Sequence, residues 1–190
     1  MSDLTLPVGA RDHIQGKDSA RVTLVEYGDY ECPYCGDAYL VVKAVQQALG
    51  DDLRFVFRNF PLTQAHPHAE LAAEVAEAAA VQGKFWETHD ALYENQDQLE
   101  ADAIVELVGA LGVDRARLVA DLEGRRFLAR VKEDFMSGVR SGVNGTPGFF
   151  INGTRYQSSW DEEALLASLI EARDSSLSAP RRSRRAPATP

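Results

Sequence analysis

Hydrophobic residues at two different spacings divide the chain into strand-like and helix-like parts. The run from Val22 to Tyr27 is apolar and rich in β-branched residues, which predicts a buried strand. Apolar residues then recur at helical spacing from Tyr39 to Leu49, and a second strand is predicted from Leu53 to Phe60. Strand, helix and strand in this order predict a β-α-β unit with two parallel strands.

The middle of the chain has helical spacing for about 75 residues, counted from His68. An alanine-rich helix is predicted at 69–80, and further apolar stripes at 85–93, at 104–111 and at 128–139 predict three more. Between the last two, Asp114 can cap a short helix that ends before Gly124. The sequence therefore predicts a block of consecutive helices after the β-α-β unit.

The C-terminal part of the sequence again has residue patterns typical of β-strands. Asn152-Gly153 separates two short apolar runs, and this dipeptide suits the two positive φ angles of a type I′ turn, so a β-hairpin is predicted. Ser159 and Glu162 have the spacing of a capping box before a final helix. The predicted fold class is α/β, with one mixed sheet flanked by helices.

Composition and charge exclude several classes of protein. The chain has 190 residues, 45% of them hydrophobic, which is enough for one domain with a real core. Its two cysteines do not make a disulfide scaffold, and no stretch approaches the roughly 18 apolar residues of a membrane span. The net charge is −9, so a nucleic-acid-binding face is not expected.

Cys32-Pro33-Tyr34-Cys35 carries the candidate chemistry. Cys32 falls where the first helix begins, and Pro33 is tolerated in the first turn. Unpaired N–H groups and the positive end of the helix dipole stabilise a thiolate there and lower its pKa. Cys35, three residues later, lies on the same helix face within disulfide reach. The pair predicts a thiol–disulfide redox centre.

Two other uses of a Cys-x-x-Cys pair stay open. A zinc site needs two more ligands, but the chain has no further cysteine, and His66-Pro67-His68 lacks the usual ligand spacing. We therefore expect neither a metal nor a cofactor, and we interpret His66 and His68 as loop or capping residues. A purely structural disulfide would close a loop too short to add much stability.

The motifs together resemble the thioredoxin fold. They are the strand before Cys-Pro-Tyr-Cys at a helix start, and Thr146-Pro147 just before the hairpin. The helical block resembles the insertion of bacterial DsbA-type proteins. The resemblance implies a thioredoxin-like fold with a helical insertion, at about 63–125, between the β-α-β half and the cis-proline hairpin. We expect an N-terminal arm over 1–20, this domain over 21–173 and a disordered tail over 174–190.

The resemblance also implies roles for individual residues. Cys32 would be the exposed nucleophile and Cys35 the buried resolving thiol. Pro147 would be the cis-proline, and Thr146 before it would offer backbone hydrogen bonds to an extended substrate peptide. Pro33 and Tyr34, between the cysteines, would line the substrate side of the site.

Glu26 is the candidate proton carrier. It falls in the apolar first strand, six residues before Cys32, where the family that this chain resembles has a buried acid. A buried carboxylate has a raised pKa and can exchange a proton with the resolving thiol. The alternative is that strand alternation turns Glu26 towards solvent.

We expect a thiol–disulfide oxidoreductase that acts on proteins bearing thiols or disulfides, with glutathione or a thioredoxin-type reductant as redox partner. We expect no nucleic-acid or membrane partner. No signal peptide is recognisable, so a cytoplasmic location is the expectation, and a periplasmic or exported one if a leader has been trimmed. Two other functions stay open: a peptide-binding chaperone with little redox activity, and a glutathione-dependent transferase or isomerase on the same fold.

Overall fold

A computed structural model describes residues 3–178, and within them the chain forms one five-stranded mixed sheet. The strand order is β1-β3-β2-β4-β5, with β2 and β3 parallel and the other neighbours antiparallel. The strands are β1 (His13–Gln15), β2 (Val22–Gly28), β3 (Leu53–Asn59), β4 (Gly148–Ile151) and β5 (Thr154–Arg155).

Seven helices accompany this sheet within the same residues. The helix α1 connects β2 to β3, helices α2 to α6 follow β3, and α7 follows the hairpin. Their bounds are α1 (Pro33–Leu49), α2 (Ala69–Ala80), α3 (Phe85–Glu94), α4 (Ala101–Ala110), α5 (Arg115–Glu123), α6 (Leu128–Arg140) and α7 (Glu162–Ser178). The predicted α/β fold is confirmed: one mixed sheet, with a block of helices between β3 and the hairpin. Helices α2 to α5 lie within 63–125.

Both faces of the central strands are covered. Leu24 of β2 belongs to a core formed with helices that include α1, α3 and α7. Val25 and Tyr27 of β2 belong to a second core with Phe135 of α6 and apolar residues of the N-terminal segment. Because side chains alternate along a strand, every residue of β2 faces one of these two cores. No side chain of β2 is more than partly accessible to solvent.

The N-terminal segment is built into the sheet. Its strand β1 pairs antiparallel with β3. The hydrophobic pattern does not predict β1. Next to it, the Arg58 Nε of β3 donates to Asp12 Oδ1 over 2.8 Å, and both side chains are fully buried. Arg58 Nη1 donates to the Leu6 carbonyl and to Tyr27 Oη, each over 2.9 Å. These bonds hold the N-terminal segment, which the sequence analysis predicts to be a separate arm, against the rest of the domain.

Local signals near the C-terminus are partly corrected. Asn152 and Gly153 have φ angles of 49° and 85°, so the predicted hairpin turn is confirmed. The predicted Ser159 cap is wrong: Asp161 Oδ1 accepts a hydrogen bond from Ala164 N over 3.0 Å and caps α7 instead. The helix continues to Ser178, which differs from the tail predicted for 174–178. The rest of that predicted tail, 179–190, lies outside the described residues.

Candidate active site

Cys32 is the N-cap residue of α1, with Pro33 at the first helical position. Its carbonyl accepts hydrogen bonds from Cys35 N over 3.0 Å and Gly36 N over 3.1 Å. The first turn of α1 contains no acidic residue, so the positive end of the helix dipole is not neutralised within that turn. The sequence placed the helix start correctly because proline and the strand end are local signals.

The fold places Thr146 and Pro147 next to Cys32. The Thr146–Pro147 peptide bond is cis, and Cys32 Sγ lies 3.6 Å from the Thr146 carbonyl oxygen. Both residues are half-buried, whereas Tyr34 is 65% exposed and Pro33 is also exposed. Residues 114 positions apart in the chain thus meet at Cys32, with Pro33 and Tyr34 at the rim of the site. The expectation of an exposed Cys32 is wrong: the residue is 4% exposed, because it packs against Thr146 and belongs to the apolar core.

The two cysteines are free thiols with opposite acidity. The hydrogen bond from the Cys35 thiol, followed by contacts with Thr146 and the N–H groups of Cys35 and Tyr34, lowers the pKa of Cys32 from 9.0 to about 5, against the effect of burial. Burial raises the pKa of Cys35 well above its ordinary value, and Cys32 and Glu26 raise it further. The arrangement gives one thiolate nucleophile next to one protonated thiol at neutral pH.

Glu26 lies in the interior beneath the cysteines, 2% exposed. Its Oε1 has no hydrogen-bond partner. Burial, and then the charge of Cys32, raises the pKa of Glu26 from 4.5 to about 8. A carboxyl group with such a pKa can both give and take a proton near neutral pH.

His66, in the loop before α2, and His68, the N-cap residue of α2, both contact acidic residues next to the cysteine motif. Asp29, just before the motif, is buried and accepts bonds from His66 Nδ1 and Leu62 N, each over 2.8 Å. Burial alone would lower the pKa of His66, but the hydrogen bond and charge of Asp29 outweigh it and raise the pKa. His68 Nδ1 lies 2.9 Å from Glu31 Oε1. No local spacing signals these pairs, because the partners are 37 residues apart.

Between residues 3 and 178, no group of three or more His, Cys, Asp and Glu side chains is arranged to hold a metal ion. Over the same part of the chain, no helix has both the length and the apolar character needed to cross a membrane.

Comparison with known families and structures gives consistent matches. The family described as Thioredoxin matches residues 10–172. A thioredoxin-like oxidoreductase from Silicibacter pomeroyi DSS-3 is 26% identical, with a TM-score of 0.77 over 87% of this chain and 94% of that one. Oxidised BdbD from Bacillus subtilis, 22% identical, has a TM-score of 0.80 over 91% and 98%. Wolbachia pipientis α-DsbA1, 16% identical, has a TM-score of 0.77 over 92% and 96%. The last two show likeness of fold alone.

Several curated proteins similar in sequence to this chain are named as sodium/proton antiporters. A protein named Na(+)/H(+) antiporter NhaA 3, from Salinispora tropica, is 44% identical over 173 residues, which are 90% of this chain and 26% of that protein. Na(+)/H(+) antiporter NhaA from Herminiimonas arsenicoxydans is 41% identical over 162 residues, 85% of this chain and 26% of that protein. The chain therefore spans about a quarter of the length of these relatives.

Proposed function

This chain belongs to the thioredoxin family and has the fold of its DsbA-like members, and on that premise we propose that it catalyses thiol–disulfide exchange through Cys32 and Cys35. One observation carries the proposal: the Cys32 thiol lies at the start of α1, 3.6 Å from the Thr146 carbonyl oxygen, with the buried Cys35 thiol three residues later on the same helix. The contacts of this position lower the pKa of Cys32 to about 5, and burial raises the pKa of Cys35. A thiolate is the attacking species in disulfide exchange, and a neighbouring thiol completes it.

The exchange takes place in two steps. The Cys32 thiolate attacks one sulfur of a substrate disulfide, a mixed disulfide forms, and the other substrate sulfur leaves as a thiolate. Cys35 then loses its proton and attacks Cys32 Sγ, and the second substrate sulfur leaves. Two electrons pass from the cysteine pair to the substrate, and the reverse sequence oxidises a substrate dithiol. We propose Glu26 as the group that accepts or returns the proton of Cys35.

The surface around Cys32 suits an extended polypeptide. Thr146 and Pro147 directly precede β4 and are partly accessible, so a peptide can add to the backbone there by strand-like hydrogen bonds. Tyr34 offers an exposed aromatic contact beside the sulfur. Such binding depends on main-chain atoms, so we propose protein substrates of varied sequence rather than one small molecule.

The acidity of Cys32 sets the proposed redox range. A more stable thiolate stabilises the reduced form and makes the disulfide more oxidising: thioredoxin, with a thiol pKa of about 7, lies near −270 mV, and DsbA, at about 3.5, lies near −120 mV. A pKa of about 5 falls between them. We therefore propose an intermediate potential, which lets the pair exchange with glutathione or with a thioredoxin-type reductant.

The antiporter relatives fit the same proposal. They match this chain over only about a quarter of their own length. We propose that the segment which they share with this chain supplies thiol–disulfide exchange in those proteins too.

Reduction of insulin by dithiothreitol, followed as turbidity, tests the function. The wild-type protein is expected to accelerate it, and Cys32→Ser is expected to abolish the acceleration. Cys35→Ser, the matched variant, when mixed with insulin in the absence of dithiothreitol, should instead accumulate a mixed disulfide with the substrate that is visible by mass. Equal activity of Cys32→Ser and wild type would refute redox catalysis, and suppression of aggregation by both proteins would favour the chaperone alternative.

A further inference from the structure

We propose that the hydroxyl of Tyr93, in the helical insertion, relays the proton between the Cys35 thiol and the Glu26 carboxylate. This inference rests on the proposed function and extends it, because it gives the insertion a part in the chemistry. It follows from where three buried polar groups lie relative to the end of β2.

The first two groups, the Glu26 carboxylate and the Tyr93 hydroxyl, lie on the same side of β2. Side chains alternate along a strand, so Glu26 and Gly28 point to the same side. Gly28 has no side chain, and a Cβ atom built there would lie 2.7 Å from Tyr93 Oη. Because Gly28 has no side chain, the Tyr93 hydroxyl fits against β2 two residues after Glu26, on the same face of the strand.

The third group reaches the same place from α1. Asp29 N donates to Cys35 Sγ over 3.5 Å, so the resolving sulfur lies against the residue that follows Gly28. Cys35 is fully buried and Tyr93 is 6% exposed. The thiol from α1, the hydroxyl from α3 and the carboxylate of β2 thus converge on four consecutive residues of the chain, 26–29.

The hydrogen-bonding capacity of these groups is not used elsewhere. Glu26 Oε1 and Tyr93 Oη are both buried and both lack a hydrogen-bond partner, so in the reduced protein the phenol is bonded neither to the Cys35 thiol nor to Glu26. The relay requires both bonds to form when the mixed disulfide is resolved, as catalytic hydrogen bonds commonly tighten only in the reacting complex. Buried polar atoms are rarely left unpaired in folded proteins. A phenol hydroxyl can accept a bond from a thiol while it donates one to a carboxylate. Burial, and then the charges of Cys35 and Glu26, raise the pKa of Tyr93 well above its ordinary value, so the phenol stays neutral and keeps both capacities.

The relay balances in both directions. During resolution of the mixed disulfide, the Cys35 proton passes to Tyr93 Oη while the phenol proton passes to the Glu26 carboxylate. The Cys35 sulfur bonds to Cys32 Sγ, the bond from Cys32 to the substrate breaks, and the electron pair leaves with the substrate sulfur. In the oxidising direction, protonated Glu26 returns the proton to the departing Cys35 thiolate. Tyr93 is a neutral phenol before and after each step.

Stopped-flow reaction of the reduced protein with 5,5′-dithiobis(2-nitrobenzoate) separates the steps. Attack by Cys32 releases the first thionitrobenzoate at a rate proportional to reagent concentration. Resolution by Cys35 releases the second at a rate independent of it. Tyr93→Phe keeps the ring and removes only the hydroxyl, so the first phase should be unchanged. The second phase should slow by about tenfold or more, because a positioned proton carrier contributes at least that much.

Tyr39→Phe is the matched control. Its ring stacks on Tyr93 at a centroid distance of 5.3 Å, but its hydroxyl donates to Glu94 over 3.1 Å. Both phases should keep wild-type rates in this variant. If Tyr39→Phe slows the second phase as much as Tyr93→Phe does, removal of any hydroxyl from these stacked tyrosines disturbs resolution, and the relay is refuted.

Two further comparisons complete the test. Tyr93→Phe should not slow the second phase further when Glu26→Gln is already present, because both remove the same path; multiplied effects would overturn the relay. A wild-type second phase in Tyr93→Phe would overturn it as well. Release of no thionitrobenzoate by the wild-type protein would instead refute the proposed exchange function. Since the hydroxyl has no partner, Tyr93→Phe should unfold at an unchanged or higher denaturant concentration.

Discussion

Thiolate content and nucleophilicity together should make Cys32 attack a small disulfide about fortyfold faster than an equally accessible ordinary cysteine at pH 5, and at about the same rate at pH 7. The perturbation is the change of pH, and the prediction depends on the contacts that lower the pKa of Cys32 to about 5. The strongest of them is the hydrogen bond from the Cys35 thiol.

The magnitude follows from two opposing effects. About half of Cys32 is thiolate at pH 5, against about 0.03% of a free cysteine with a pKa near 8.5, a ratio of roughly 1,600. A less basic thiolate is also a weaker nucleophile, and a Brønsted coefficient of about 0.45 makes it roughly 40 times less reactive. The quotient is about 40 at pH 5. At pH 7 the thiolate ratio is only about 32, so the two effects nearly cancel.

Stopped-flow exchange with 4,4′-dithiodipyridine from pH 3.5 to 9 measures the first phase. Cys32 is 4% exposed, and limited access scales every rate equally, so the pH midpoint is the diagnostic quantity. The expected midpoint is about 5. Cys35→Ala removes the strongest contact and should move the midpoint to higher pH, towards that of a free thiol.

A wild-type midpoint near 8.5 would refute this reasoning, because it would mean that the start of α1 and the contacts of Cys32 do not stabilise the thiolate. An unchanged midpoint in Cys35→Ala would show that the hydrogen bond between the thiols is not the main cause.

Three further predictions concern ionisable residues: Glu26 beneath the cysteines, the buried pair of Arg58 and Asp12, and His66 beside the site. The raised pKa of Glu26 means that the reduced protein loses stability as pH rises from 4.5 to 8, by up to about 5 kcal/mol, and urea unfolding should find this loss absent in Glu26→Gln. Arg58→Met leaves the buried Asp12 carboxylate unpaired and should cost about 3–5 kcal/mol of unfolding free energy; a cost below about 1 kcal/mol would contradict the pairing. His66→Gln leaves the Asp29 charge uncompensated and should raise the midpoint of the first exchange phase, and Asp29→Asn in the same protein should reverse the rise.

Elements with local signals could be predicted from the sequence. The hairpin follows from the conformational preference of Asn152-Gly153, and Asp114 caps α5 as expected, accepting from Arg117 N over 3.0 Å. The strand β1 could not be predicted, because three residues carry no pattern and their conformation depends on pairing with β3. The capping error at α7 arose because Ser159 and Asp161 are both good caps, and spacing alone does not choose between them.

Some residues of the candidate site have local sequence signals, and others depend on tertiary contacts. Cys32 and Cys35 are readable from local spacing. Glu26 needed a judgement about which side of the strand faces water, and burial of both faces of β2 removes the solvent alternative. His66 and Tyr93 act across tertiary contacts, so their sequence neighbourhoods indicate only a loop and a core helix.

A redox titration of the reduced protein against glutathione buffers, quantified by thiol alkylation and mass, tests exchange through Cys32 and Cys35 most directly. The expected result is one two-electron transition in which both thiols are lost together, with a midpoint between about −270 and −120 mV. Cys32→Ser should abolish that transition and leave at most a mixed disulfide with glutathione. Two wild-type thiols that stay reduced, or titrate independently, across the whole range would contradict a redox-active pair.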